Sequence, residues 1–286
     1  EIYKPPIGIK ILFFIIGFNF KDKKIKHNLS AGEKLCGALQ EMGTTFIKLG
    51  QFLSTRPDII GENISRELEK LQDKLPAFSL IDAKKILKDE LGEKNFNKIK
   101  KISEPIAAAS IAQVHFATIN DSNEDKEVAI KILRPDIEKL FNDELDALML
   151  FAYIVENIFS KAKRLKLVEV IYLLREITNI EMDLRFEAAA ANELYENTKN
   201  DKSFNVPKIY WNYTTKKILT LDKVDGMSIR EQEKLKELGI DLKILAENLI
   251  QNFLKQAVRD GFFHGDMHQG NLFVDLQGNI IPVDFG

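Results

Sequence analysis

Apolar residues recur at helical spacing from Ser30 to about Leu91. Leu35, Leu39, Met42, Phe46 and Leu49 lie three or four apart, followed by Leu68 and Leu71 and then by Ile81 to Leu91. Ser30 with Glu33 forms a capping-box signal, and Ser79 with Asp82 is a similar start. Around Ser103-Glu104-Pro105 the pattern changes. Val114 to Ile119 and Val128 to Leu133, separated by the polar run Asn120 to Lys126, predict a β-hairpin. Helical spacing returns from about Asp136 to Ser160 and from Leu167 to Asn197. Strand patterns follow at Lys208 to Asn212 and Lys217 to Leu221, and Asp225-Gly226 marks a break. A further helix is expected from Ile229 to about Asp260, with Leu245, Leu249, Phe253 and Ala257 on one stripe. Leu272 to Val274 and Ile280 to Val283, with Gly278 near the tip, predict a small terminal hairpin. The reading is α+β in three parts: a helical region over 1–102, a mixed region over 103–225, and a third region over 226–286.

At 286 residues and 32.7 kDa the chain exceeds one average domain. Its net charge of −2 and scattered lysines argue against nucleic acid as a partner. The single cysteine, Cys36, excludes an internal disulfide framework, suits a reducing compartment and reads as a buried filler. The chain starts at Glu1 and stops at Gly286, which reads as a piece of a longer polypeptide. Ile7 to Phe18 is strongly apolar but shorter than the roughly 20 residues a spanning helix takes. Lys21, Lys23, Lys24 and Lys26 follow it. Such a segment lies either at an anionic membrane surface or in a core beside a solvated lysine turn.

The chemistry concentrates near the end of the chain. In His264-Gly265-Asp266-Met267-His268-Gln269-Gly270-Asn271, an Asp precedes an Asn by five residues. Val283-Asp284-Phe285-Gly286 then follows the hairpin. This is the order found in protein-kinase catalytic sites. A triphosphate brings several negative charges into one cleft, so Mg²⁺ must be held there by hard oxygen ligands. Asn271 and Asp284 suit that role, and the Asp266 carboxylate can orient or accept a proton on an attacking oxygen. His264 and His268, four apart, superficially match a zinc pattern. That pattern requires a helix, against which Gly265 and Gly270 argue.

Upstream, Val128-Ala129-Ile130-Lys131 matches the strand whose lysine reaches the α- and β-phosphates of ATP. Ala107, Ala108, Ala109, Ser110, Ile111, Ala112, Gln113 and Val114 reproduce a phosphate-covering loop with alanine at every glycine position. Alanine's Cβ penalises positive φ and close backbone approach, so the loop is expected to be stiffer, with Ser110 and Gln113 adding side-chain hydrogen bonds. Glu181, Asp183 and Glu187 collect three acids within two turns of the expected 167–197 helix, where Asp183 and Glu187 repel. Lys131 is the expected partner of Glu187. For Glu181 the alternative is a solvated pair with Arg185.

Together these motifs resemble the UbiB family of atypical protein-kinase-like proteins, linked to ubiquinone biosynthesis, over nearly the whole chain. Lys48-Leu49-Gly50-Gln51 is similar to its K-x-G-Q motif, and Glu181-Met182-Asp183 to its E-x-D motif. Gln269 stands where the family commonly has proline. The resemblance implies a two-lobed kinase-like fold whose C-terminal lobe is cut after Asp-Phe-Gly. It also implies a helical extension folded over the site, with Lys48 and Gln51 near the nucleotide and near Glu181 and Asp183. ATP and Mg²⁺ are the implied cofactors. The implied partners are a membrane lipid or polyprenyl quinone precursor and a ubiquinone-biosynthesis complex, at the cytoplasmic face of the cell membrane.

Overall fold

The computed structural model describes residues 30–54, 57–71, 76–158 and 162–285. The apolar segment at 7–18 and its lysines lie outside the described residues, as does Gly286. The extension starts with α1 (Ala31–Met42), whose N-terminus carries the capping box: the Ser30 hydroxyl accepts from Glu33 N–H while the Glu33 carboxylate accepts from Ser30 N–H. Next come α2 (Thr44–Ser54), α3 (Pro57–Ile60) and α4 (Glu62–Leu68). Leu39, Ile47, Leu68 and Leu71 form their small core, with Cys36 half-buried against it, so Cys36 fills space as expected. Gly50 has a steric reason: a Cβ there would lie 2.2 Å from Leu71 Cδ1 and 2.9 Å from Leu39 Cδ1.

Helix α5 (Leu80–Phe96), capped by Ser79, leads into a four-stranded antiparallel sheet: β1 (Ile99–Ala108), β2 (Ala112–Asp121), β3 (Glu124–Leu133) and β4 (Ile218–Asp222). The predicted hairpin is β2–β3, paired from Ala112↔Leu133 to Asp121↔Glu124. Strand β1 begins at Ile99, where the pattern predicts no strand. Its pairing with β2 carries three register shifts, and such bulges erase the alternation by which a strand is read.

Period two then sorts the side chains of β3. Val128, Ile130 and Ile132 turn to one face and bury against Ala83 and Leu87 of α5. Lys131 turns to the other face, where α6 (Ile137–Ile158) and α8 (Leu184–Thr198) pack through Phe141, Leu184, Ala188 and Ala191. Between those helices lies α7 (Leu167–Glu181). The predicted single helix over 167–197 is therefore two. The break falls at Met182-Asp183, because Asp183 leaves helical geometry (φ −119°, ψ 93°) and caps α8 by accepting from Arg185 N–H.

The predicted strand at 208–212 reduces to one bridge, Ile209↔Leu221, followed by a 3₁₀ turn at Trp211–Tyr213. The helix expected over 229–260 also divides, into α9 (Gln232–Glu237) and α10 (Leu242–Leu254) with a π turn at Lys255–Asp260. Gly239 at φ 81° ends the first, and the Asp241 carboxylate caps the second. A second sheet, β5 (Met227–Ser228), β6 (Leu272–Val274) and β7 (Ile280–Pro282), contains the predicted terminal hairpin.

His115 is buried in β2 between two fixed partners. The Ser103 carbonyl can only accept, so Nδ1–H donates to it at 2.9 Å, and Nε2 accepts from the Gln113 amide nitrogen, also at 2.9 Å. Burial holds the His115 pKa below its ordinary 6.5, and burial does the same at His264. A depressed histidine pKa leaves stability intact above pH 6.5 and removes it as the unfolded chain takes up the proton below that. Unfolding titrations between pH 7.5 and 5.5 should thus show stability falling by at most about 1.4 kcal/mol per pH unit per histidine. His115→Gln should remove one of the two contributions.

Candidate active site

Lys131 is the hinge of the site. Its ammonium donates to both Glu187 oxygens, at 2.9 and 2.8 Å, and to Asp284 Oδ1 at 2.8 Å. The expected lysine–helix glutamate pair is therefore present, joining β3 to the first turn of α8. Burial by itself would lower the Lys131 pKa, but the two carboxylates outweigh it and raise it well above the ordinary lysine value. Burial pushes the Glu187 carboxyl up, against Lys131 and a bond from Phe285 N–H. Asp284 is held below the usual carboxylate range, first by Lys131 and, with less weight, by Lys48.

Asp284 adopts φ 61°, a left-handed conformation that Asp tolerates better than most residues. The turn is fixed on both sides. Val283 N–H donates to the Asn271 carbonyl at 2.8 Å, and the Phe285 ring packs against His264 with centroids 5.2 Å apart. The hairpin thus sets Asn271 against Val283, the residue before Asp284. The Asn271 amide nitrogen donates to the Asp266 carbonyl at 3.1 Å and to its Oδ2 at 3.3 Å, which leaves Asn271 Oδ1 as the amide's remaining acceptor. Asp266 itself is exposed, with its main-chain N–H on His264 Nδ1.

The zinc alternative fails on the same geometry. The segment 264–271 is a chain of turns, and both His264 nitrogens are engaged, Nδ1 by Asp266 N–H and Nε2 on the Val283 carbonyl. Among the described residues no group of three or more His, Cys, Asp or Glu could hold a metal by itself. Mg²⁺ makes a different demand, since one or two oxygen ligands complete its shell with phosphates and water. Asn271 and Asp284 carry side-chain oxygens of the kind that demand takes.

The extension reaches this site through α2. Ile47, Phe46 and Leu53 face its own core while Leu49 and Phe52 pack on α6 and α7, so α2 is held between the two. Lys48 and Gln51, three apart, share the remaining face. Lys48 pairs with Glu181 at 3.0 Å, and Gln51 reaches the Leu71 carbonyl at 3.5 Å. Glu181 and Asp183 do not act as one acidic cluster with Glu187. The helix break separates them, Asp183 taking the Arg185 guanidinium at 2.9 and 2.6 Å and Glu181 taking Lys48 rather than Arg185.

The alanine-rich loop connects β1 to β2, with Ala107 and Ala108 in β1 and Ala109 N–H donating to the Ala112 carbonyl at 2.8 Å. Ser110 is fully buried and its hydroxyl has no partner, an orphan group in the loop assigned to phosphate. Gln113 departs from expectation. It is buried, and its amide exchanges two bonds with the backbone of Phe78, at 2.9 and 3.2 Å, so its polar atoms serve the linker ahead of α5. Arg134, which the sequence reading passed over, donates twice to the Ala109 carbonyl. The only available signal was its place just after the lysine strand.

Residues 70–286 match the ABC1 atypical kinase-like domain. The chain is 37% identical over 287 residues to a "Probable protein kinase UbiB" of Marinobacter nauticus, covering 98% of this chain and 51% of that protein. Similar matches carry the same name in Pseudomonas aeruginosa, at 37% over 91% of the chain, and in Azotobacter vinelandii, at 39% over 84%. The chain spans about half the length of these curated relatives. Among solved structures, the Mycobacterium tuberculosis Rv3197–erythromycin complex aligns with TM-score 0.56 at 24% identity. The alignment covers 97% of this chain and 66% of that one, a likeness of fold.

Replacing Lys131 by Met leaves Glu187 buried without its cation. Breaking a buried pair in this way should cost about 3–5 kcal/mol at pH 7.5 in chemical denaturation. An unpaired buried carboxyl titrates above its unfolded value, so its penalty shrinks as pH falls. Relative to wild type, the variant should recover stability between pH 7.5 and 5.5. An unchanged difference across that range would mean that Glu187 is not the group left unpaired.

Proposed function

The chain belongs to the ABC1/UbiB family of atypical kinase-like proteins, and on that footing we propose that it binds MgATP and works as an atypical kinase or ATPase supporting ubiquinone biosynthesis. The observation that carries the reading is Lys131 held between Glu187 and Asp284, with Asn271 one hydrogen bond from that turn. Lys131 would bind the α/β-phosphates while Glu187 keeps it oriented. Asn271 and Asp284 would hold Mg²⁺, which when bound neutralises charge on the phosphates. Asp266, exposed and fixed through its main chain, would orient the attacking hydroxyl or water. The backbone of the alanine-rich loop would cover the phosphates, with the Ser110 hydroxyl buried beneath it. Lys48 and Gln51 would limit access.

A conventional protein kinase fits less well. Lys48 of the extension already sits on Glu181 beside the site and within electrostatic reach of Asp284. That occupies space a peptide would need and favours a small acceptor, here a lipid or polyprenyl quinone precursor, or water. Among the described residues no helix is long and apolar enough to cross a membrane. The family resemblance supports contact with the cytoplasmic membrane face within a biosynthetic complex.

The full-length protein should show a thermal shift on titration with MgATP, with about 2.7 kcal/mol of added stability at 100 times Kd. Asp284→Asn should lose most of it, and Asp266→Asn should bind MgATP but lose turnover. Binding in wild type with no turnover under any condition would mark a nucleotide-binding scaffold instead. Equal shifts in wild type and Asp284→Asn would remove the site assignment.

A further inference from the structure

The alanine-rich loop is not free to move by itself. Arg134 stands where β3 ends, and its guanidinium spans two pieces of chain. Nε and Nη2 donate to the Ala109 carbonyl at 3.1 and 2.8 Å, and Nη1 donates to the Pro76 carbonyl at 2.9 Å. Its cationic carbon lies 5.9 Å from the centroid of the Phe78 ring. The Arg134 main-chain N–H bonds the Ile111 carbonyl at 2.8 Å, inside the same loop. On the other side of the linker, Gln113 holds both backbone groups of Phe78, and His115 fixes Gln113. Loop and linker are therefore bolted to each other at two points.

The linker carrying Pro76 and Phe78 joins the Lys48-bearing extension to α5. We propose that Arg134 is a positioning residue for the nucleotide site: it sets the height of the alanine-rich loop over the phosphates and ties that height to the linker that carries Pro76 and Phe78 into α5. This rests on the reading of the loop as the phosphate cover. The chemistry favours arginine specifically. A planar guanidinium can serve two carbonyls and a ring face at once, whereas a lysine ammonium has three donors but no planar fork with which to span both carbonyls and stack on the ring. A loop with alanine in place of glycine lacks backbone freedom to find the phosphates after binding, so its position must be set beforehand.

The test uses the full-length protein and three measurements on wild type, Arg134→Ala and Arg134→Lys: MgATP affinity, amide hydrogen exchange without nucleotide, and thermal stability. Arg134→Ala should weaken MgATP about fivefold to tenfold, the loss expected for one or two net hydrogen bonds. Exchange should rise together at residues 107–112 and 77–80 but not along β3. Arg134→Lys should fall between the two and stays informative if the alanine variant folds poorly. A lowered melting temperature with unchanged affinity and unchanged loop exchange would overturn the proposal and leave Arg134 as ordinary packing. Faster exchange confined to the loop would overturn its tie to the linker. If wild type itself binds no MgATP, the reading of the site fails first, and the proposal fails with it.

Discussion

A lysine ammonium bonded to two carboxylates holds this structure's functional half together. Lys131 comes from a strand, Glu187 from the first turn of a helix, and Asp284 from a turn in left-handed geometry. None of the three would be stable alone in its place. A buried glutamate needs a cation, a buried lysine needs an anion, and the turn at Asp284 needs an anchor. The pairing therefore fixes the relation of the four-stranded sheet to α8 and to the terminal hairpin. Phe285, next in sequence, packs against the cores of both.

Around that pairing, hydrogen bonds convert a loop into a fixed constellation. Asn271 is tied to Asp266 by its amide and to Val283 by its carbonyl, and His264 is engaged at both ring nitrogens. The groups that would meet a metal and a reacting oxygen are thus positioned by backbone contacts. The extension reaches the same site through α2. Gly50 allows α2 to approach Leu39 and Leu71 closely, and that approach places Lys48 on Glu181.

The sequence made legible whatever depends on spacing within one element or across a tight hairpin. The β2–β3 hairpin, the terminal hairpin and the order Asp266–Asn271–Asp284 belong to that class, whereas the partnership of Lys131 with Glu187, 56 residues apart, followed from the match of Val128 to Lys131 with the kinase strand. What it hid depends on side chains leaving their expected element. Asp183 has a helix former's neighbours but uses its carboxylate as a cap, which cuts one predicted helix into two and separates the acids. Gln113 lies in the motif that suggests phosphate, yet its amide is taken by Phe78, far away in sequence. Strand β1 was invisible because its bulges break alternation. Arg134 carried no local signal because its partners come from a loop and a linker on either side of α5 and β1.

Lys131, Glu187, Asp284 and Asn271 are proposed to form one MgATP site. Its most direct test is an experimentally determined structure of the full-length protein with Mg²⁺ and a non-hydrolysable ATP analogue. The account predicts the triphosphate beneath the alanine-rich loop, Lys131 still on Glu187 and within hydrogen-bond distance of an α- or β-phosphate oxygen, and Mg²⁺ on Asn271 Oδ1 and the Asp284 carboxylate at the 2.0–2.1 Å typical of this ion. Nucleotide bound elsewhere, or a metal held without Asn271 and Asp284, would contradict it.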